Sequence, residues 1–255
     1  MELLTNGVGL SVVVFFPLIS AFIITLIPKA QEQLIKGFAL ISSLITFVLS
    51  AVLLFQFDFS SADKLQLGNK ISWIKSINAN YEIGIDGISL PLLVLSTFIT
   101  VLAIIYSIEH LPEPKSPKGF LALILVLETG MNGTFVALDL ILFFVFFEIV
   151  LLPMYFMIGI WGDKTVRTVS GFKNQIETRL YASIKFFVFT LFGSAFMLLG
   201  FLGLYYRGNK TFSIPELIEL GTSGAFTGTF ATLVFAVLFL GFAVKVPMWP
   251  LHTWL

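Results

Sequence analysis

Cysteine is absent from the 255 residues, which removes disulfides, iron–sulfur ligation and thiol catalysis. Charge is scarce: Asp, Glu, Lys and Arg make up 12% of the chain, against about a quarter in ordinary soluble proteins. Acidic and basic residues balance, 15 against 15, so no nucleic-acid-binding surface is expected. The two histidines, His110 and His252, are far apart and have no clustered carboxylates beside them, which argues against a metal site. No P-loop or Rossmann glycine pattern occurs, so nucleotide chemistry has no home in these residues.

What remains is apolar. Hydrophobic residues form 57% of the chain and Phe alone occurs 29 times. Apolar runs of about 20 residues, the length that crosses a bilayer, recur throughout. The expected fold is all-α: a polytopic membrane protein of about seven transmembrane helices. The spans fall near Val8–Ile27, Leu34–Phe57, Gly87–Ser107, Gly119–Ala137, Asp139–Trp161, Leu180–Tyr205 and Thr227–Lys245. The first has neither a basic region before it nor a small-residue cleavage site, and reads as a retained helix rather than a signal peptide. Between the second and third, Asp58–Ile85 is too polar for the bilayer and belongs outside it, as short strands or an interfacial piece. In span six, Gly193, Gly200 and Gly203 read as close-packing positions. With the N-terminus outside, eight Lys and Arg fall on the inner loops, Lys173 among them, and five on the outer segments. The positive-inside bias therefore favours N-terminus out.

The stretch DLILFFVFFEIVLLPMYFMIGIW, Asp139–Trp161, organises the reading. Fifteen of the residues from Leu140 to Ile160 are Leu, Ile, Val or Phe, each favouring insertion by roughly 0.3–0.6 kcal/mol. One carboxylate, Glu148, interrupts them at a cost of about 3 kcal/mol. An ionisable group at that depth points to a proton or ion path. The alternative is a structural Glu tied to a neighbouring helix or kept protonated by burial. By helical spacing Phe144, Leu152 and Tyr155 share its side. Asp139 falls on the opposite side, at the membrane surface, where it would cap the helix start. Pro153 frees the carbonyl of Ile149 in mid-span, a defect tolerated where helices, side chains or water satisfy it.

A second charged element closes the chain: LFLGFAVKVPMWPLHTWL. Lys245 ends an apolar run and is followed by Pro247 and Pro250, which free the carbonyls of Ala243 and Val246 and break the helix. A broken helix with an ionisable residue at the break is a recurring transporter build. The alternative is a lysine snorkelling from a helix end. His252 would share the face of Lys245 if helix resumed. Lys185, early in span six, is either a relay residue or another snorkelling lysine. Glu128, beside the run TGMNG, is either a buried relay carboxylate or part of a packing turn. His110 reads as a surface residue at a span end.

The segments FFVFFEIVLLPMYFMIGIWG, GIDGISLPLLVLSTFIT, YASIKFFVFTLFGSAFMLLG and FAVKVPMWPLHTWL resemble chain 4 (the M subunit) of the proton-pumping NADH:quinone oxidoreductase, respiratory complex I. The resemblance is carried by residues 81–255, and by hydropathy alone before that. It implies an antiporter-like, proton-translocating membrane subunit, part of an enzyme but with no redox centre of its own. By position Glu148 matches the family's fifth-span glutamate and Lys245 its seventh-span lysine. His252 matches the histidine of the broken segment, and Lys185 a sixth-span lysine. Glu148 and Lys245 would form the charge pair that gates proton transfer, and Glu128 joins them as a relay candidate. No cofactor would be bound by this chain; NADH, FMN, iron–sulfur clusters and quinone would belong to the other subunits. The expected partners are neighbouring antiporter-like chains and the lipid bilayer, in a bacterial plasma membrane or a thylakoid or organelle membrane. The resemblance divides the chain into residues 1–110, three helices with an external loop at 58–85, and residues 111–255, an incomplete first repeat broken at 243–255. Alternatives are a cation/proton antiporter, a membrane-bound hydrogenase, a photosynthetic ferredoxin:plastoquinone relative, or a non-pumping structural or assembly subunit.

Overall fold

The structure is a computed structural model that describes residues 7–167 and 176–255. Lys173, used above in the charge count, lies outside the described residues. Seven helical segments among them are long and apolar enough to cross a membrane. The chain is a multi-pass integral membrane protein, as the apolar runs require. Its packing separates residues 1–73 and 80–153 from residues 74–79 and 154–255.

The first unit is built from α1 (Val8–Leu26), α2 (Glu32–Gln56), α3 (Ser89–Glu109), α4 (Pro117–Val136) and α5 (Leu140–Ile149). The polar segment before α3 forms a two-stranded sheet of β1 (Gln66–Ile74) and β2 (Ala79–Ile85). A core of Leu10, Val14, Leu53, Ile83, Leu90, Leu93, Val136 and Phe146 joins the sheet to the helices. Pro17 lies inside α1 and cannot donate to the carbonyl of Val13. Asn132 Nδ2 of α4 donates to that carbonyl at 3.4 Å. At the other end, Lys118 Nζ donates to the carbonyl of Ile27 at 2.7 Å. These two bonds fix α1 and α4 antiparallel and in register.

The second unit holds α6 (Leu151–Trp161, from Met154 on), the short strands β3 (Val166–Arg167) and β4 (Ile176–Glu177), α7 (Thr178–Arg207), α8 (Ile214–Thr222) and α9 (Gly228–Lys245). Two of the three expected close-packing glycines bring α7 against α9. A methyl group on Gly193 would meet Val244 at 2.8 Å, and one on Gly200 would meet Leu238 at 2.6 Å, whereas Gly203 has ordinary room at 3.5 Å. Small residues substitute here for the hydrophobic force that lipid cannot supply. The helix α8 is an element that hydropathy alone does not announce, being too short to span.

Loops of like parity meet. Leu138 N, after the fourth span, donates to Glu82 O, and Asn78 Nδ2 donates to Lys210 O after the sixth. Lys118, after the third span, reaches Ile27, after the first.

Candidate functional site

Glu148 is positioned by the way α5 begins and ends. At its start Asp139 is a true N-cap: Oδ1 accepts from the backbone N–H groups of Ile141 at 2.9 Å and Leu142 at 3.2 Å. Its other oxygen accepts from Asn80 N of β2 at 2.9 Å. Capping was expected; burial was not. Asp139 is fully buried beneath the sheet rather than lying at the surface. Burial pushes its carboxyl above the usual aspartate range, against the lowering effect of these three N–H groups and of Lys70.

That arrangement gives a testable stability effect. A raised native pKa means the fold favours the protonated form, so this contribution is present at low pH and lost as pH rises through the native pKa. Asp139→Asn keeps the cap but turns an amide donor toward Asn80 N–H, and stranding that buried group costs about 1–3 kcal/mol. In thermal unfolding, the melting deficit of the variant should shrink as pH rises above the aspartate range. A deficit constant across pH would remove the assignment.

Further along, α5 lies tight against α4. A methyl on Gly133 would fall 2.2 Å from the Phe146 ring, and one on Gly130 would fall 2.7 Å from Val150. The α-helical run then breaks at Val150, although that residue keeps helical angles (φ −61°, ψ −31°). The cause is Pro153, which has no N–H for Ile149. Glu148 is therefore half-buried in the last turn before the break. Tyr155 packs edge-on against Phe187 of α7, with ring centroids 5.4 Å apart.

The second unit breaks its helix as its prolines predict. Lys245 is the last residue of α9. The Ala243 carbonyl, deprived of a donor by Pro247, accepts from Met248 N at 2.9 Å. That takes the donor Val244 would have had, and Val244 O accepts instead from the Trp254 indole N–H at 2.8 Å. Trp254 also packs its ring on Phe186, with centroids 5.2 Å apart. Lys185 Nζ donates to the carbonyl of Thr253. A single 3-10 turn, Leu251–Trp254, follows the break, so the α-helical spacing that would align His252 with Lys245 does not apply. His252 is exposed, next to the Thr253 that Lys185 grips. The α7–α9 register set by Gly193 and Gly200 puts Lys245 roughly 10 Å along the axis from Lys185.

The structure thus brings Lys185, His252 and the Lys245 break into one unit, and Glu148 and Glu128 into the other. Glu128 is fully buried in α4, and neither carboxylate oxygen has a hydrogen-bond partner among the described residues. Around it lies a polar interior that sequence reading passed over. Ser42, Ser43, Thr46 and Ser50 of α2, Ser96, Thr97 and Thr100 of α3, and Thr129 and Asn132 of α4 are all buried. The signal was available: Ser42, Thr46 and Ser50 recur every fourth residue, which puts hydroxyls on one helix face.

Comparison with known proteins places the whole chain in one company. Residues 12–134 match the family described as NADH-ubiquinone oxidoreductase chain 4, amino terminus. Residues 137–255 match the family described as NADH:quinone oxidoreductase/Mrp antiporter, TM. The chain is 37% identical over 248 residues to NAD(P)H-quinone oxidoreductase chain 4 of Gloeobacter violaceus, covering 96% of this chain and 43% of that one. It is 36% identical over 255 residues to NADH-quinone oxidoreductase subunit M of Rickettsia bellii, covering 96% and 47%. A chain in the structure of respiratory complex I from Thermus thermophilus with bound NADH superimposes with a TM-score of 0.77 at 25% identity, over 96% of this chain and 46% of that one. The chain spans somewhat less than half the length of the relatives it matches.

Proposed function

The chain belongs to the family of antiporter-like chain 4 (subunit M) membrane subunits of NADH:quinone oxidoreductases, and on that premise we propose that it carries part of a proton path driven by redox chemistry in other subunits. The observation that carries this reading is a half-buried carboxylate, Glu148, in the last turn before a break in an otherwise apolar span. Apolar packing gives no reason for either feature, whereas proton transfer needs both a titratable group and an opening for water.

In this mechanism Lys245 is the partner of Glu148. A nearby opposite charge favours the charged form of each, and separation lets a buried carboxylate take a proton. The break after Lys245 and the proline-induced defect at Ile149 supply the hinges for alternating between these states. Lys185, joined to the terminal 3-10 turn, and the exposed His252 pass the proton onward. Glu128 serves as a further carboxyl. NADH, FMN, iron–sulfur clusters and quinone are bound by other subunits; a chain without cysteine offers no thiolate for a cluster. The partners are neighbouring antiporter-like chains, and residues 111–255 act as the beginning of a repeat. The N-terminus faces outward from a bacterial plasma membrane, or the equivalent side of a thylakoid or organelle membrane.

A second reading follows from the family description matched by residues 137–255, which covers Mrp antiporters as well. There the same groups would exchange a cation for protons without electron transfer. A native gel of the source membranes, stained for NADH oxidation and read by mass spectrometry, separates the two. Finding the chain in a large NADH-oxidising complex is expected. Finding it in a complex that oxidises no NADH would move the antiporter reading forward.

A further inference from the structure

We propose that Glu128 is a proton-binding site of its own, held as a neutral carboxylic acid at mid-membrane inside the α1–α4 bundle and exchanging its proton through buried hydroxyls rather than across α5. This deepens the proton-transport reading, but the existence of the site does not depend on that reading.

Position comes first. Gly130 and Gly133 mark the face of α4 that meets α5. At about 100° per residue they lie about 200° and 140° around the helix from Glu128. Asn132, about 40° away, is on the Glu128 side and reaches Val13 of α1, while its Oδ1 accepts from Ser96 Oγ of α3 at 3.4 Å. Glu128 therefore points away from α5 and Glu148, into the space between α1, α2 and α3.

Charge comes next. Of the elements packed on α4, α1 has no titratable residue. On α2 they are Glu32 and Lys36, in its first turns, and on α3 they are Tyr106 and Glu109, in its last. The cation of α4 itself, Lys118, is about 15 Å down the helix and donates to Ile27 O. Glu148 of α5 is on the other face. An ionised carboxylate with no partner in a low-dielectric interior is prohibitively costly, so the group carries a proton.

An exit is built beneath it. Three other buried oxygens of these helices have no hydrogen-bond partner among the described residues: Ser20 Oγ, Ser42 Oγ and, at the opposite end of α2, Gln56 Oε1. The α1–α4 register puts Ser20 about 5 Å below Glu128, toward the Lys118 end. The bond between Ser50 and Thr97 (2.7 Å), with that between Ser96 and Asn132, puts Ser42 about 8 Å below it. Glu128, Ser20 and Ser42 step from mid-membrane toward one face. Each hydroxyl can accept a proton on its oxygen and release its own, with water between.

Infrared difference spectra of membranes carrying the intact complex test this. A protonated carboxyl C=O band should be present in the wild type, lost in Glu128→Gln, shifted in Glu128→Asp and kept in Glu148→Gln. In heavy water, the Ser20→Ala/Ser42→Ala double variant should keep the band but slow its hydrogen–deuterium exchange. A spectrum that Glu128→Gln leaves unchanged would overturn the site. Loss of the wild-type band on adding Na+ alone would also overturn it, since the occupant would then be a metal cation. Unchanged exchange in the double variant would overturn the exit. Proton pumping enters none of these readouts, so the relay of Glu148 and Lys245 can fail without touching them.

Discussion

Glu148→Gln should leave electron transfer to quinone largely intact while proton transport falls by at least tenfold. A positioned acid–base group contributes about 10²–10⁴-fold to a proton transfer, which sets that scale. Glutamine preserves the length of the side chain and its capacity to accept hydrogen bonds, so packing before the break at Val150 survives. What it loses is the ability to bind and release a proton. A Glu148 that merely tied α5 to a neighbour would tolerate the change, because the tie is a hydrogen bond that an amide can also make. Glu148→Asp should recover part of the transport, since it restores the carboxyl on a shorter stem. The measurement is a ratio, protons moved per quinone reduced, in vesicles of the intact complex. An unchanged ratio in Glu148→Gln would remove the group from the path. A loss of assembled complex with an unchanged ratio in what remains would assign it a structural role.

The features that were legible before the structure are those whose physics needs no tertiary context. A bilayer demands about 20 apolar residues per crossing, so all seven spans could be placed by length. Proline lacks an N–H wherever it sits, so Pro153 and Pro247 announced the breaks after Ile149 and Lys245. Asp139, directly before an apolar run, announced a cap. What stayed hidden depends on long-range register. Nothing in the sequence couples Asn80 to Asp139, 59 positions away, until the sheet folds down onto the α4–α5 linker. The same holds for Lys185 and Thr253, 68 positions apart. The direction of Glu128 was equally hidden. Its face is fixed by which neighbours the glycines of α4 admit, and hydropathy treats every side of a membrane helix alike. His252 shows the converse: its spacing from Lys245 was legible, but it implies a shared face only in continuous α-helix, and the segment is a 3-10 turn.

The tight seat of α5 on α4 carries the other large expectation. In lipid, helix association rests on van der Waals contact between close backbones, so a glycine at such a contact has no apolar substitute. At Gly133 the first added carbon already collides with Phe146, at 2.2 Å from the ring. Phe146 is itself only 2% exposed and packed in the core that joins the sheet to the helices, so it has little room to retreat. Gly133→Ala should therefore destabilise by about 1–3 kcal/mol and Gly133→Leu by more, as overpacking does. Gly37, in α2, is the control, because nothing lies within 4 Å of a methyl placed there. Gly37→Ala should be neutral or stabilising by about 0.5–1 kcal/mol, since alanine restricts the unfolded chain and favours helix. Thermal unfolding should thus fall to lower temperature in Gly133→Ala and not in Gly37→Ala. Phe146→Ala is itself costly, a buried Phe lost from the core, but in the Gly133→Ala/Phe146→Ala double variant the combined loss should fall short of the sum of the two single losses, the coupling expected of residues in direct contact. Two equal shifts, or strictly additive losses in the double variant, would mean that α4 and α5 are not seated through this pair. Since Phe146 stands two residues before Glu148, displacing it also displaces the carboxylate. The protons moved per quinone by the surviving Gly133→Ala complex should then fall below those of Gly37→Ala, linking the packing of α4 to the work proposed for α5.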